Sequence, residues 1–332
     1  KPIFLLFLGV GLIGCIALGF AAHWLWFLLI FVVARVGYSG SLIFYDSMLS
    51  DITDEERMDY VSSQGYAWGY IGSCVPFVLC LVIVLGSDPL GIRMETAMGI
   101  AFVLVAVWWL LMSLPLLKNY EQKYYVEKKP HAIAQSFKRL GETFKNMKEE
   151  KQVFMFLLAF FFYIDGVYTI IDMATAYGSA LGLDSTGLLL ALLVTQIVAF
   201  PCAIIFGNLS YRIRTEKLII VCIFAYLGIA IFAVFLKTQL QFWILAILVG
   251  MFQGGIQALS RSYFTKIIPE EHSGEYFGLM DICGKGASFV GTTIVSIVSQ
   301  LTGNISMGVG MIAILFCIGI VIFLKAVSMS RN

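Results

Sequence analysis

The chain has 332 residues, 60% of them hydrophobic and only 13% charged, with a formal net charge of +1. A soluble domain carries roughly 25% charged residues, so this composition excludes a water-soluble globular protein. The near-zero net charge points to no class of partner; the placement of charge along the chain says more.

Apolar runs of about 20 residues recur along the whole length, and a helix rising about 1.5 Å per residue crosses a hydrocarbon core of about 30 Å in that distance. In chain order the predicted spans are 3–21, 23–49, 60–86, 96–117, 152–178, 183–206, 218–236, 242–268, 276–300 and 306–326. The fold class is therefore an all-α polytopic membrane protein. Most connections are short. The exception, 118–151, carries nine Lys/Arg against five Asp/Glu. Within it Ile133, Phe137, Leu140, Phe144 and Met147 form one apolar stripe, which predicts an amphipathic helix. Such a helix lies on the membrane or packs on the protein's own face. The second reading is favoured, because the segment joins two halves of the chain.

Cys15, Cys74, Cys80, Cys202, Cys222, Cys283 and Cys317 all fall inside apolar segments without a C-x-x-C pair. They read as small buried hydrophobes, not disulfides or metal ligands. His23, His131 and His272 stand alone, with no zinc spacing and no nucleophile–histidine arrangement. Alternate loops divide Lys and Arg seventeen to two, the rich side holding the 118–151 linker, Arg212, Arg214, Lys217, Lys266 and Lys325. By the positive-inside rule the linker and the C-terminus are expected in the cytoplasm.

An internal repeat runs through the chain at a constant offset of 216. It places Ile52 on Ile268, Asp54 on Glu270, Glu55 on Glu271, Asp59 on Glu275 and Tyr60 on Tyr276. The same shift carries 218–236 onto 2–20, 242–268 onto 26–52 and 306–326 onto 90–110. Segments 152–178 and 183–206 fall before residue 1, and the chain opens on Lys1 rather than Met. The expectation is a 6+6 parent of which ten helices are present: 1–117 (helices 3–6), the basic linker 118–151, and 152–332 (helices 7–12).

Parallel six-helix repeats are the pattern of the major facilitator superfamily. "GNLSYRIRTEKLI" (207–219) resembles that superfamily's G-x-L-A-D-R-x-G-R-K loop at Gly207, Leu209 and Arg212, with Tyr211 and Arg214 replacing its Asp and second Gly. "GGIQALSRSYFTKIIPEEHSGEYFGLMDICGKGASFVG" (254–291) resembles the signature of one branch, the autophagy-linked vacuolar amino-acid effluxers of fungi and their bacterial relatives. The first-half stretch "ITDEERMDYVSSQGYAWGYIGS" is similar to the same branch, departing from it at Asp46, Ser47 and Ser50. The resemblance implies a major facilitator fold, secondary transport by alternating access and, less directly, amino acids as cargo. Drug or lipid export on the same fold is the first rival. A membrane-embedded enzyme would need a His, Asp or Ser cluster that the sequence does not hold, and a scaffold or receptor would not need buried charges.

A charge at the bilayer centre costs roughly 2.5–3.5 kcal/mol, so each one asks for a reason. Arg35 falls near the middle of its span, and Asp165 and Asp172 lie two turns apart on another, with Tyr168 and Thr169 between them. In the twelve-helix scheme both spans line the cavity. One reading has Arg35 and the acidic stripe flank the path of a zwitterion, with Asp165 carrying a coupled proton; the other has Arg35 merely neutralised by an Asp. Gln253 and Gln257 are candidate substrate ligands or interhelical hydrogen-bonding groups. Asp46, Arg261, Asp281 and Lys285 are candidate gate or interdomain residues, Arg261 with Glu270 and Glu271 available to it. Neither metal nor cofactor nor nucleic acid is expected; the expected partners are a small-molecule substrate, protons and the lipid bilayer. The setting expected is a bacterial cell membrane, with the protein a monomer.

Overall fold

The computed structural model describes residues 1–89, 91–123 and 150–329. Their regular elements are all helices: α1 (Pro2–Leu18), α2 (Trp24–Ser47), α3 (Leu49–Ile52), α4 (Met58–Leu85) and α5 (Met94–Asn119) come first. After the linker follow α6 (Lys151–Ala180), α7 (Ser185–Leu209), α8 (Thr215–Val234), α9 (Gln239–Ile267), α10 (Ser273–Thr302), α11 (Ile305–Gly310) and α12 (Ile312–Met329). Among the described residues nine helical segments are long and apolar enough to span a bilayer, and Pro2–Leu18 is a shorter apolar helix. Helices suit this setting because they satisfy every backbone polar group internally. The amphipathic helix expected over 133–147 lies outside the described residues.

The repeat reappears in the elements. Shifted by 216, the 3₁₀ turn Glu270–His272 falls within one residue of the turn Glu55–Arg57, and the start of α10 within one residue of the start of α4. Local chemistry sets the ends. Asp184 accepts from the Gly187 N–H at 2.6 Å to cap α7, and Thr238 and Gln241 form a capping box on α9. Gly182 (φ +76°) and Gly303 (φ +66°) turn the chain in the left-handed region after α6 and α10, where a side chain would be strained.

The described residues fall into two compact units. One holds 1–52 with 72–123, the other 53–71 with 150–329, so α4 gives its second half to the first unit and its first half to the second. In the first unit α1 packs on α2 and α5 through small residues: a Cβ at Gly14 would meet Ala34, and one at Gly37 the backbone of Gly11. In membranes such close approach is the main source of helix adhesion. The second unit is built on α6, whose neighbours include α10 and α12, while α9 packs on α7 and α8. Its centre is aromatic: Phe156, Tyr163, Tyr263, Phe264 and Phe323 stack or meet edge-on with centroids 5.2–6.2 Å apart. The Tyr163 hydroxyl, buried there, shares a 2.7 Å hydrogen bond with Ser260 Oγ. Gly250, Gly254 and Gly255 let α9 close on α7, against Thr195, Ala203 and the Phe206 ring.

Candidate functional site

Three polar groupings interrupt the apolar packing of the second unit. The first surrounds Asp165, wholly buried halfway along α6. Its Oδ1 accepts the Gly291 N–H at 3.0 Å and the Thr169 hydroxyl at 3.2 Å; its Oδ2 has no hydrogen-bond partner. Among the described residues no basic group lies within ion-pair distance of it. Gly291 makes the seat possible, because a Cβ there would collide with Asp165 Oδ1 and Thr169 Oγ1. Two turns on, the exposed Asp172 accepts from Ser288 Oγ at 3.0 Å, again across to α10. Tyr168, half-buried between the two, lays its ring against Gly284.

The second grouping is a polar zipper between α9 and the first half of α4, which run antiparallel. Gln253, Gln257 and Arg261 repeat every four residues on α9, as Ser62, Tyr66 and Tyr70 do on α4, so each set forms one stripe. Tyr70 donates to Gln257 Oε1 at 2.9 Å and also hydrogen-bonds Gln253, with Tyr168 and Arg261 close by. Arg261, only 4% exposed, donates through Nε to Ser62 Oγ at 2.9 Å and through a terminal nitrogen to Ser62 O at 3.1 Å. Its guanidinium also lies 4.8 Å from the Tyr66 ring centroid. The availability of Glu270 and Glu271 is thus corrected: both are exposed in the 3₁₀ turn, and the helix aims Arg261 at α4 instead.

At the end of that zipper lies the third grouping. Asp59, 5% exposed, accepts from Ser262 at 2.5 Å, from Thr215 at 2.6 Å and from Lys266 Nζ at 2.7 Å. Sequence reading placed Asp59 in the repeat but offered none of Asp59, Ser62, Tyr66 and Tyr70 as a site residue. The signal was present as polar and aromatic residues spaced three to four apart in an otherwise small-residue stretch.

Asp281 and Lys285 form an i,i+4 ion pair on α10 at 2.5 Å, at a partly exposed position. Arg35 belongs to the first unit, where it is exposed and sits 5.3 Å from the Tyr38 ring centroid; Asp46 is half-buried in the last turn of α2. The first unit has a buried carboxylate of its own, Asp51, which accepts from the Tyr120 hydroxyl and from the Lys123 N–H. Burial, and then the neighbouring Asp51 carboxylate, push the Tyr120 hydroxyl well above its ordinary pKa, so it stays a donor.

Solved transporters share this fold. The Escherichia coli fucose:proton symporter FucP aligns over 97% of this chain and 82% of its own, with a TM-score of 0.71 at 15% identity. The human organic anion transporter MFSD10 aligns over 97% and 76%, with a TM-score of 0.69 at 13% identity. A bacterial homologue of the iron transporter ferroportin, in its outward-facing state, aligns over 98% and 84% with a TM-score of 0.67. Ten apolar helices among the described residues take this fold, and a relative at 45% identity, itself an MFS-type transporter, sets the class as a transporter of the major facilitator superfamily.

Sequence relatives narrow the class. The chain belongs to the family described as vacuole effluxer Atg22 like, whose model matches residues 50–332. It is 45% identical over 326 residues to the uncharacterized MFS-type transporter YxiO of Bacillus subtilis, covering 97% of this chain and 76% of that protein. It is 25% identical over 303 residues to autophagy-related protein 22 of Botryotinia fuckeliana, covering 82% and 50%. The chain spans about half the length of the fungal relatives it matches.

Proposed function

We propose that this protein is a secondary transporter that moves a small polar solute, with amino acids as the leading class, by alternating access. The observation that carries the reading is the uncharged hydrogen-bonding stripe of Gln253, Gln257 and Tyr70 beside Tyr168, in a family whose description names an effluxer. Amide and hydroxyl groups can accept and donate to an amino acid's own ammonium and carboxylate, whereas a drug exporter wants a larger apolar pocket. Asp165 is the coupling group. Its carboxyl has two donors on one oxygen, none on the other and no cation beside it among the described residues, a placement suited to taking up and releasing a proton. Arg261, holding α9 to α4, serves as a gate, and the Asp281–Lys285 pair on α10 is a second candidate gate. The seventeen-to-two division of Lys and Arg supports a cytoplasmic linker and C-terminus.

The test uses purified protein in proteoliposomes with a labelled amino-acid mixture, measured as counterflow and as transport driven by a pH gradient. Wild-type protein is expected to do both, and Asp165→Asn to keep counterflow while losing the gradient-driven component. Gradient-driven transport by Asp165→Asn would remove the carboxyl from the coupling role. Transport of lipophilic drugs with no amino-acid counterflow would replace the substrate reading.

A further inference from the structure

A cavity of about 470 Å³ opens between the first turn of α8 and the last turns of α12. Its size falls inside the range of about 300–1,000 Å³ that small ligands occupy. Both walls belong to the same membrane face, because α8 begins a span there and α12 ends one three crossings later. The cavity therefore sits at the level where hydrocarbon gives way to water.

Its lining is sorted by depth. Arg214, Lys217 and Ser328 lie toward the helix ends. Ile220 is three residues further into α8 than Lys217, and Leu324 four residues further into α12 than Ser328. At about 1.5 Å per residue those apolar walls sit roughly 5–6 Å deeper. Val327 closes the back, and Leu324 is 47% exposed on the outer side, so the cavity opens to the surroundings of the bundle. Glu216 accepts from Arg214 at 2.9 Å and fixes the guanidinium while leaving other N–H donors for a ligand. Lys217 is exposed, and no carboxylate among the described residues lies within ion-pair distance of it. The exposed Arg212 and Lys325 stand next to the two walls in sequence and add to the positive field.

We propose that this cavity binds an anionic phospholipid, its phosphate held by Arg214 and Lys217 and an acyl chain laid along Ile220 and Leu324. Basic pockets between spanning helices suit such headgroups, and each Lys or Arg near the surface contributes about 1 kcal/mol toward an anionic lipid. The apolar lower wall decides the source of the phosphate. A free anion would use only the basic rim and make no contact with Ile220 and Leu324, whereas a lipid occupies the rim with its phosphate and the apolar wall with its acyl chain. A choline headgroup would bring a further cation among Arg214, Lys217 and Lys325, so a net negative lipid fits and a zwitterionic one does not. The site does not depend on which solute the transporter moves.

The experiment reads lipid retention by native mass spectrometry, and thermal unfolding in nanodiscs, for the full chain. Nanodiscs of phosphatidylcholine are compared with ones doped with phosphatidylglycerol of the same acyl chains. The wild type should retain phosphatidylglycerol and unfold at a higher temperature with it. Arg214→Gln/Lys217→Gln should lose about 30-fold in retention, as expected for two cations at about 1 kcal/mol each. Its unfolding temperature in phosphatidylcholine reports whether it folds. Lys217→Gln alone, at an exposed site without an ion pair, should lose about 5-fold and carries the test should the double variant misfold. Lys237→Gln, on the opposite face, should change nothing. Equal retention by wild type and Lys217→Gln, or a stabilisation that inorganic phosphate reproduces in phosphatidylcholine, overturns the proposal.

Discussion

Helices α4 and α10 occupy equivalent places in the repeat, yet their stripes are complementary. On α4 the stripe reads Asp59, Ser62, Tyr66, Tyr70; at the same offset on α10 it reads Glu275, Gly278, Ile282, Gly286. Charge differs as well, since Asp281 and Lys285 of α10 stand where α4 has the uncharged Gly65 and Gly69. Every polar member of the α4 stripe grips α9 or α8. Gly278 and Gly286, by contrast, face open space, and Ile282 is 58% exposed. Duplication supplies two backbones of one design. The side chains on one turn-by-turn stripe then decide whether that edge of the helix grips α8 and α9, as in α4, or stays open, as in α10.

The sharpest way to break this contrast is at its first position. Asp59→Ala leaves Lys266 partly buried without its carboxylate, and also takes the acceptor from Ser262 and Thr215. Removing one partner of a buried, hydrogen-bonded pair costs about 3–5 kcal/mol. A large fall in unfolding temperature in detergent is the expected result. The repeat partner Glu275 has His272 at 3.8 Å in a partly exposed setting, where such pairs contribute about 0–1 kcal/mol. Equal losses from Asp59→Ala and Glu275→Ala would mean that the two helices are held alike.

The next effect is smaller and belongs to the far end of the stripe. Tyr70→Phe keeps the ring and deletes one hydroxyl, so the Gln257 amide oxygen loses its donor. Stability should fall by about 1 kcal/mol. If the stripe binds solute, the KM of transport should move several-fold while the turnover rate stays near that of the wild type. An unchanged KM would leave Tyr70 as a helix fastener only.

Much of this architecture could be read in the sequence, for a definite reason. A span is a local property, twenty apolar residues in a row, and the segment from 242 to 268 appears as Gln239–Ile267 with no tertiary information needed. Asp165 was equally visible, because a carboxylate in an apolar run is costly wherever it points. Its partner was not: Gly291 contributes a backbone N–H and an absent side chain, neither of which leaves a mark in composition. Arg261 shows the opposite failure. Its nearest acids in sequence are Glu270 and Glu271, but its hydrogen-bond partner Ser62 stands 199 residues away, on another helix. Partner choice across helices is set by crossing geometry, which a repeat offset does not encode.

The smallest effect tests the two charges that α10 carries and α4 lacks. Asp281 and Lys285 neutralise each other along one face of α10, with side chains 26% and 41% exposed. An i,i+4 pair in that setting contributes about 0.3–0.5 kcal/mol before solvent screening is allowed for. Asp281→Asn and Lys285→Gln, singly and together, should therefore unfold within about 0.5 kcal/mol of the wild type. The functional arm separates gate from site. A gate residue changes the rate of reorientation, so only the turnover of gradient-driven transport should shift, and the double variant should recover part of each single loss because the unpaired charge is gone. A change in substrate affinity in either single variant would place the pair on the solute's path, and make α10 rather than α4 the helix that meets the cargo.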